Sequence, residues 1–425
     1  MTLTEAEILK QIKNEYNLIK FLDQLKICNN NLFLYGAGTA VSAYSKITIT
    51  ALKGLNIHPK GFVDDDPSLW GTKLLGISVF NPNHLEDVQT PLIVISSNYF
   101  EGIAHTLANL SLSSASIYSI TGIIQAAPKD CYDTIISYEE VMRRLHTHQA
   151  KLSRIKHMLG GIQDNLIINA LDVQVTERCT MKCKDCSNLM QYYEKPIDSD
   201  KDVLESSLIK ILNFVEKISN IRIIGGEPFL YKELPSLFDL VIKSKKIERV
   251  NVYTNATFVP HHDVLIAMQH PKIEVEITDY DEHSRNHHKM IEVFKDYKIK
   301  YIDHKPQNWT DSARIVKNNK TNDQLAAMFD RCCVNDVLSL LHGKLYHCPF
   351  SANAHNLKAI SEDQSDFIDL ISIEDSELKA VFQKFYFGKP FQSACKSCLG
   401  RDFHQPKVIP AIQTKKPIPI PIYSI

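Results

Sequence analysis

Most of the ten cysteines in this chain fall at spacings that suit metal ligation. Cys179, Cys183 and Cys186 make a C-x3-C-x2-C set in one short stretch (CTMKCKDC), directly after the alternating apolar run 171–176. Thiolates suit iron–sulfur clusters and zinc alike. A four-iron cluster held by three cysteinates keeps one iron free of protein ligands. Structural zinc wants a fourth ligand, and none is obvious within the loop. A second set follows: Cys333-x9-Gly343-x4-Cys348, then Cys395-x2-Cys398, with Cys332 beside the first of them. Its four thiolates come from two hairpin-like pieces and would hold zinc or a fully ligated 4Fe–4S cluster.

These residues need elements to hold them. Residues 203–218 place Leu204, Leu208, Ile211, Leu212 and Val215 on one helical face. Strand-like runs at 171–176, 221–224, 250–254, 272–278 and 297–304 alternate with such helices. Repeated parallel βα units predict a full or partial barrel, whose chemistry sits at the C-terminal ends of the strands. The thiol loop, Gly225-Gly226-Glu227-Pro228, Thr254-Asn255 and Thr278-Asp279 all fall at such ends.

The C-x3-C-x2-C loop and the Gly225–Pro228 motif together resemble those of radical S-adenosylmethionine (SAM) enzymes. The resemblance implies a 4Fe–4S cluster on Cys179, Cys183 and Cys186, with the open iron chelated by the amino and carboxylate groups of SAM. It implies that Gly225 and Gly226 let the backbone approach the methionine part, that Glu227 receives the ammonium, and that Pro228 stiffens the turn. Thr254-Asn255-Ala256 resembles the family's TNG stretch with Ala in place of Gly, which adds Thr254 and Asn255 to the SAM site; Thr278 and Asp279 join it from the next strand. Asp185 departs from the aromatic often found before the third cysteine. The C-terminal cysteines resemble the twitch domain, a shortened form of the SPASM domain, which implies one auxiliary 4Fe–4S cluster. The spacing fits Cys333 as its first ligand, with Cys348, Cys395 and Cys398. Cys332 is then either an unused neighbour or a hydrogen-atom donor to a substrate radical.

Toward the N-terminus, the apolar strand 31–35 runs into Gly36-Ala-Gly38, and the strand 61–64 ends in Asp64. Alternating strands and helices predict a doubly wound parallel sheet. Gly36 and Gly38 would turn the chain against a phosphate, and Asp64 would grip a ribose hydroxyl. Val41 stands where the usual fingerprint has its third glycine. The run GFVDDDPSLWGTKLLGISV resembles small Rossmann-like domains of bacterial sugar-modifying enzymes, implying a nucleotide or nucleotide-sugar there. The basic stretch 138–158, with His146, His148 and His157, reads as a solvated linker helix. The tail 407–425, rich in Pro and Ile, reads as an extended surface segment.

Lys plus Arg number 48 against 49 Asp plus Glu, a net charge of −1, which argues against nucleic acid or an anionic membrane as partner. No apolar run reaches transmembrane length, and the start of the chain lacks a signal-peptide core. Clustered cysteines without an export signal point to a reducing, cytoplasmic setting.

The expected α/β organisation is a Rossmann-like domain at 1–135, a linker helix at 136–165, a partial (β/α)6 radical SAM barrel at 166–320, a twitch-like domain at 321–405 and a tail at 406–425. The expected function is reductive cleavage of SAM and hydrogen abstraction from a small molecule, with a sugar nucleotide as the candidate substrate and dehydrogenation or epimerisation as the outcome. A flavodoxin or ferredoxin would supply electrons. The alternatives are a peptide maturase and a non-catalytic, zinc-stabilised nucleotide-binding scaffold.

Overall fold

The computed structural model describes residues 3–13, 18–37, 43–97, 100–112, 114–132, 141, 145, 148, 152, 166–306, 308–312, 314–330, 332–401 and 406–421. The chain divides into two compact units, 1–163 and 164–425.

In the first unit the strands are β1 (Leu32–Tyr35), β2 (Gly61–Val63), β3 (Lys73–Leu74), β4 (Ile77–Phe80), β5 (Leu92–Ile95) and β6 (Ser116–Ser119), in sheet order β3-β4-β2-β1-β5-β6. All neighbours pair in parallel except β3 with β4. Because both faces of β1 are covered, its four residues are all apolar or aromatic. Leu32 and Leu34 join the core built from helices Leu18–Ile27 and Ala43–Gly54, while Phe33 and Tyr35 join the one built from Glu5–Lys13 and Phe100–Ala108. The order of strands reverses between β1 and β5, as expected of a doubly wound sheet.

The linker reading of 136–165 is corrected where the structure describes it. Val141, Leu145, His148 and Leu152 are helical and buried, at the spacing of one helical face, and they pack into the first unit's cores. The His148 ring lies 4.7 Å from that of Phe100 and is not solvated. His146 and His157 lie outside the described residues.

The second unit is built on β7 (Ile167–Thr176), β8 (Lys217–Gly225), β9 (Val250–Thr254), β10 (Ile273–Thr278), β11 (Tyr301–His304), β12 (Trp309–Thr310), β13 (Val337–Leu341), β14 (Lys344–Tyr346), β15 (Phe367–Asp369) and β16 (Lys407–Val408). The main sheet runs β11-β10-β9-β8-β7-β13-β14-β15, and β12 pairs with β16. From β7 to β11 every pairing is parallel. Their apolar faces pack under helices Lys201–Phe214, Leu234–Lys243 and His287–Asp296. Asp200 starts the first of these helices by accepting a hydrogen bond from the Val203 N–H at 3.0 Å. In β10 the sequence IEVEIT alternates buried and half-buried positions, so one sequence period sets both faces.

The sixth parallel strand is not where a simple barrel would place it. β13, from the segment expected to form a separate domain, pairs in parallel with β7 on the side away from β8. The β13–β14 hairpin and β15 then continue that sheet antiparallel. The sheet therefore crosses the expected boundary near residue 320 without interruption.

Candidate active site

β7 delivers the thiol loop. Cys179, Cys183 and Cys186 pack with Met181, Ala411, Tyr280 and Trp309 in one small cluster. Cys179 Sγ accepts from the Asn255 Nδ2–H and from the Met181 N–H, both at 3.5 Å. Burial raises all three thiol pKa values, that of Cys183 to about 12. Buried thiolates without a cation are costly, so this donor set suits a metal cluster whose positive charge compensates them.

The two glycines are explained by the chain itself. A Cβ on Gly225 would lie 2.2 Å from Thr176 O, and one on Gly226 2.1 Å from Arg178 O and 2.8 Å from Cys179 Cβ. Instead the Gly226 N–H donates to Thr176 O and the Glu227 N–H to Arg178 O, both at 2.8 Å. The end of β8 is thus zipped against the start of the thiol loop, a close approach only glycine permits.

Glu227 is fully buried, and its carboxylate accepts from Thr254 Oγ1 and the Asn255 N–H at 2.9 Å and from the Phe229 N–H at 3.2 Å. Burial pushes its pKa up to about 7, and the three donors hold it down from going further. The side chain expected to take an ammonium therefore ties β8 to the end of β9, where Asn255 reaches Cys179. Ala256, in the place of the family glycine, adopts a left-handed φ of 57°. Ser284 Oγ bridges Asn255 O (2.7 Å) and Thr278 O (3.2 Å), fastening the end of β10 to the same rim. Asp279 caps the following turn by accepting from the Asp281 N–H at 2.9 Å. Asp185 is buried, with Arg314 Nη2 4.0 Å away.

The described tail, 406–421, is extended and, apart from buried Ala411, exposed or half-buried, and part of it lies along the thiol loop. Residue 413 pairs antiparallel with Cys183. Lys184 N–H donates to Ile412 O at 2.7 Å and Thr414 N–H to Lys182 O at 2.8 Å. Gln413 and Ala411, with Tyr280 and Trp309, were the site residues that no motif announced. Trp309 and Tyr280 meet edge to face at 5.6 Å beside the thiols.

The second thiol set is corrected by burial. Cys332, Cys348, Cys395 and Cys398 line one pocket with Phe329, Phe350 and Arg401. Cys333 is exposed, and its N–H donates to Arg401 O at 3.1 Å. Cys333, the expected ligand, thus lies outside this pocket, and Cys332, expected as an unused neighbour or a hydrogen-atom donor, lines it instead. Spacing alone could not separate adjacent residues; the turn after helix Asn322–Asp330 decides which one faces inward. Cys348 Sγ caps helix Pro349–Asn356 by accepting from the Ser351 N–H at 3.4 Å, and Cys398 Sγ accepts from the Gly400 N–H at 3.2 Å. Burial raises the pKa of Cys332, Cys348 and Cys398 to about 12, and the Arg401 charge opposes the rise. Burial likewise raises Cys186, and Arg401 opposes that too, so one guanidinium acts on both sets. Among the described residues no three His, Cys, Asp or Glu side chains converge as ligands of a single metal ion would. A polynuclear cluster, with ligands at its corners, asks for thiols spread around a space.

In the first unit Gly36 has a φ of 101°, and a Cβ there would lie 2.8 Å from Ser97 Cβ. Asp64 is already engaged: Oδ2 accepts from the Ala37 N–H at 2.7 Å and Oδ1 from the Asp66 N–H at 2.9 Å. It closes the turn after β1, which corrects its reading as an open ribose ligand. Gly38 lies outside the described residues.

Fold and site together define a parallel α/β domain with a thiol-bearing rim. Residues 173–337 match the Radical SAM superfamily, and this part of the chain is a Radical SAM domain. A 4Fe–4S cluster and SAM are the cofactors of that family, and the loop 179–186 is the thiol set that fits them.

The chain is 30% identical over 95 residues to the GTP 3′,8-cyclase of Moorella thermoacetica, covering 22% of this chain and 28% of that protein. It is 30% identical over 90 residues to the molybdenum cofactor biosynthesis protein 1 of Dictyostelium discoideum, covering 20% and 14%. The chain thus spans under a third of the length of these curated relatives. Among solved structures it resembles BtrN in complex with AdoMet and 2-DOIA (18% identity, TM-score 0.36, covering 56% of this chain and 94% of that one). It also resembles anSMEcpe with bound AdoMet and the Cp18Cys peptide (22% identity, TM-score 0.27, covering 32% and 42%). The first relatives are named as cyclases, so neither a sugar-nucleotide substrate nor oxidation or epimerisation gains support from them. No helix among the described residues is long and apolar enough to cross a membrane.

Proposed function

We propose that the second unit is an enzyme that acts by hydrogen-atom abstraction from a polar small molecule. The observation that carries this reading is the packing of three thiols, one buried and two partly buried, on a rim built from the ends of β7, β8 and β9. When bound there, the cluster and SAM supply one-electron cleavage of a sulfonium and the hydrogen abstraction that follows. The chain's own part is to place and shield them. Asn255 holds Cys179, Glu227 holds Asn255, and Tyr280 and Trp309 screen the thiols from water.

Below the rim, on the sheet face opposite the helices, Asp172, Arg222, Asn251 and Glu274 stand in register across four strands. Asp172 pairs with Arg222, and Asn251 Nδ2 donates to Glu276 Oε1 at 3.0 Å. Buried Asp172 Oδ2 and Asn251 Oδ1 have no partner among the described residues. A row of that kind favours a substrate rich in hydrogen-bonding groups. Cys332, Cys348, Cys395 and Cys398 would hold a second 4Fe–4S cluster, and a flavodoxin or ferredoxin would supply electrons.

Anaerobically reconstituted protein is expected to bind about eight irons per chain and, with SAM and dithionite, to release 5′-deoxyadenosine. Cys183→Ala should release none. Colourless wild-type protein carrying stoichiometric zinc would overturn the reading.

A further inference from the structure

We propose that Gln413 is a positioning residue that raises the reduction potential of the cluster on Cys179, Cys183 and Cys186, and that residues 411–414 form the strap presenting it. This rests on the reading that those thiols hold a 4Fe–4S cluster.

The strap is fixed at several points. Upstream, β16 pairs with β12, and the Asp311 N–H donates to Pro406 O at 2.8 Å. In the middle, the backbone bonds from Lys184 to Ile412 and from Thr414 to Lys182 lay it along the thiol loop. Ala411 is 3% exposed and packs against Met181 and Cys183. Downstream, the Ile418 N–H donates to Gln191 O at 2.8 Å.

Within this frame the Gln413 amide has one allowed orientation. Oε1 accepts from the Lys182 N–H at 2.7 Å. Nε2 donates one hydrogen to Ala411 O at 2.7 Å and the other to Cys183 Sγ at 3.2 Å. A flipped amide would face the Lys182 N–H with a donor and Ala411 O with an acceptor, losing both bonds. Two backbone groups therefore aim the remaining N–H at sulfur.

A donor to a ligating sulfur stabilises negative charge on the cluster. The reduced cluster carries one more negative charge than the oxidised one, so the donor favours reduction and raises the potential. The electron itself comes from the external donor. A strap that merely covered the loop would slow solvent and oxygen access without this directional effect.

The test is an anaerobic redox titration of reconstituted full-length protein, following the EPR signal that SAM perturbs. Gln413→Leu removes the donor. Gln413→Glu keeps an acceptor for the Lys182 N–H and removes both Nε2 hydrogens, the one to sulfur and the one to Ala411 O. Both should shift the midpoint negative by an amount equal to about a tenfold fall in the reduced-to-oxidised ratio, 59 mV for one electron. Thr414→Val removes a 3.3 Å strap bond from Oγ1 to Lys182 O and should leave the midpoint unchanged. Unchanged midpoints in both Gln413 variants at full iron content would overturn the proposal. Loss of iron in both would overturn it as well, by making Gln413 a holder of the cluster. Wild-type protein with no SAM-sensitive signal would instead remove the underlying functional reading.

Discussion

The two thiol sets are built on opposite plans. Cys179, Cys183 and Cys186 arise within one loop, and the rest of the rim closes around them through Gly226, Glu227, Asn255 and the 411–414 strap. Cys332, Cys348, Cys395 and Cys398 come from a turn, a helix cap and a short 3-10 segment, and meet only because β13 and β14 extend the main sheet. The first set has its spacing fixed by the local chain and its environment by distant residues. In the second, distant packing fixes which thiols line the pocket. A locally defined set should therefore tolerate changes beside it, while a set defined by packing should depend on which neighbour faces inward.

Cys332→Ala against Cys333→Ala is the sharpest way to break that contrast, and has the largest expected effect. Replacing the inward thiol should lower bound iron from about eight to about four per chain, whereas replacing the exposed one should leave it unchanged. Iron and sulfide analysis of reconstituted protein checks both. Equal losses from the two variants would mean that the turn after residue 330 rearranges on loading, and the packing argument would fail for the second set.

A smaller effect tests the first set's dependence on a buried carboxylate. The folded-state pKa of Glu227 is raised by burial to about 7. A group raised in this way contributes stability that is fully present below its unfolded pKa of about 4.3 and is lost as pH climbs through the folded value. Apo-protein should therefore lose about 3–4 kcal/mol from this residue between roughly pH 4 and pH 8. Denaturant unfolding across that range should show the loss in wild type and not in Glu227→Gln. Parallel pH profiles for the two proteins would mean that Glu227 is not buried as the structure places it.

The same contrast governs what was legible in the sequence. β9 was read to the residue, because VNVYT is apolar enough for a buried parallel strand and Asn255 ends it. β7 and β8 begin ahead of the runs 171–176 and 221–224, since Asn169 in β7 and Lys217, Ser219 and Asn220 in β8 break the apolar pattern without breaking the strand. The rim motifs were legible as positions. Their roles were less so: the reason for Gly226 is a backbone oxygen of Arg178, invisible until the two strand ends meet. Gln413 gave no signal at all, because it pairs with Cys183 from 230 residues away. The placement of β13 beside β7 was equally hidden, for the run 337–341 is as apolar as any core strand and carries no mark of its neighbour.

Ala256 provides the smallest test, and its size follows from opposed terms. Its φ of 57° places an L-residue in the left-handed region, which costs about 1–2 kcal/mol relative to glycine. The residue is fully buried, and removing its methyl group would forfeit about 0.8 kcal/mol of apolar burial. Glycine would also lose more backbone entropy on folding, about 0.5–1 kcal/mol. These terms nearly cancel, so Ala256→Gly should change stability by less than about 1 kcal/mol. It should also leave the Asn255 contact to Cys179, and hence iron content, intact. That near-neutrality is what a locally defined thiol set requires of its surroundings, and it explains how alanine stands where the family pattern has glycine. A change beyond about 2 kcal/mol in either direction would show that residue 256 is coupled to the loop more tightly than its two backbone bonds indicate, one to Thr254 Oγ1 and one from the Asn286 N–H.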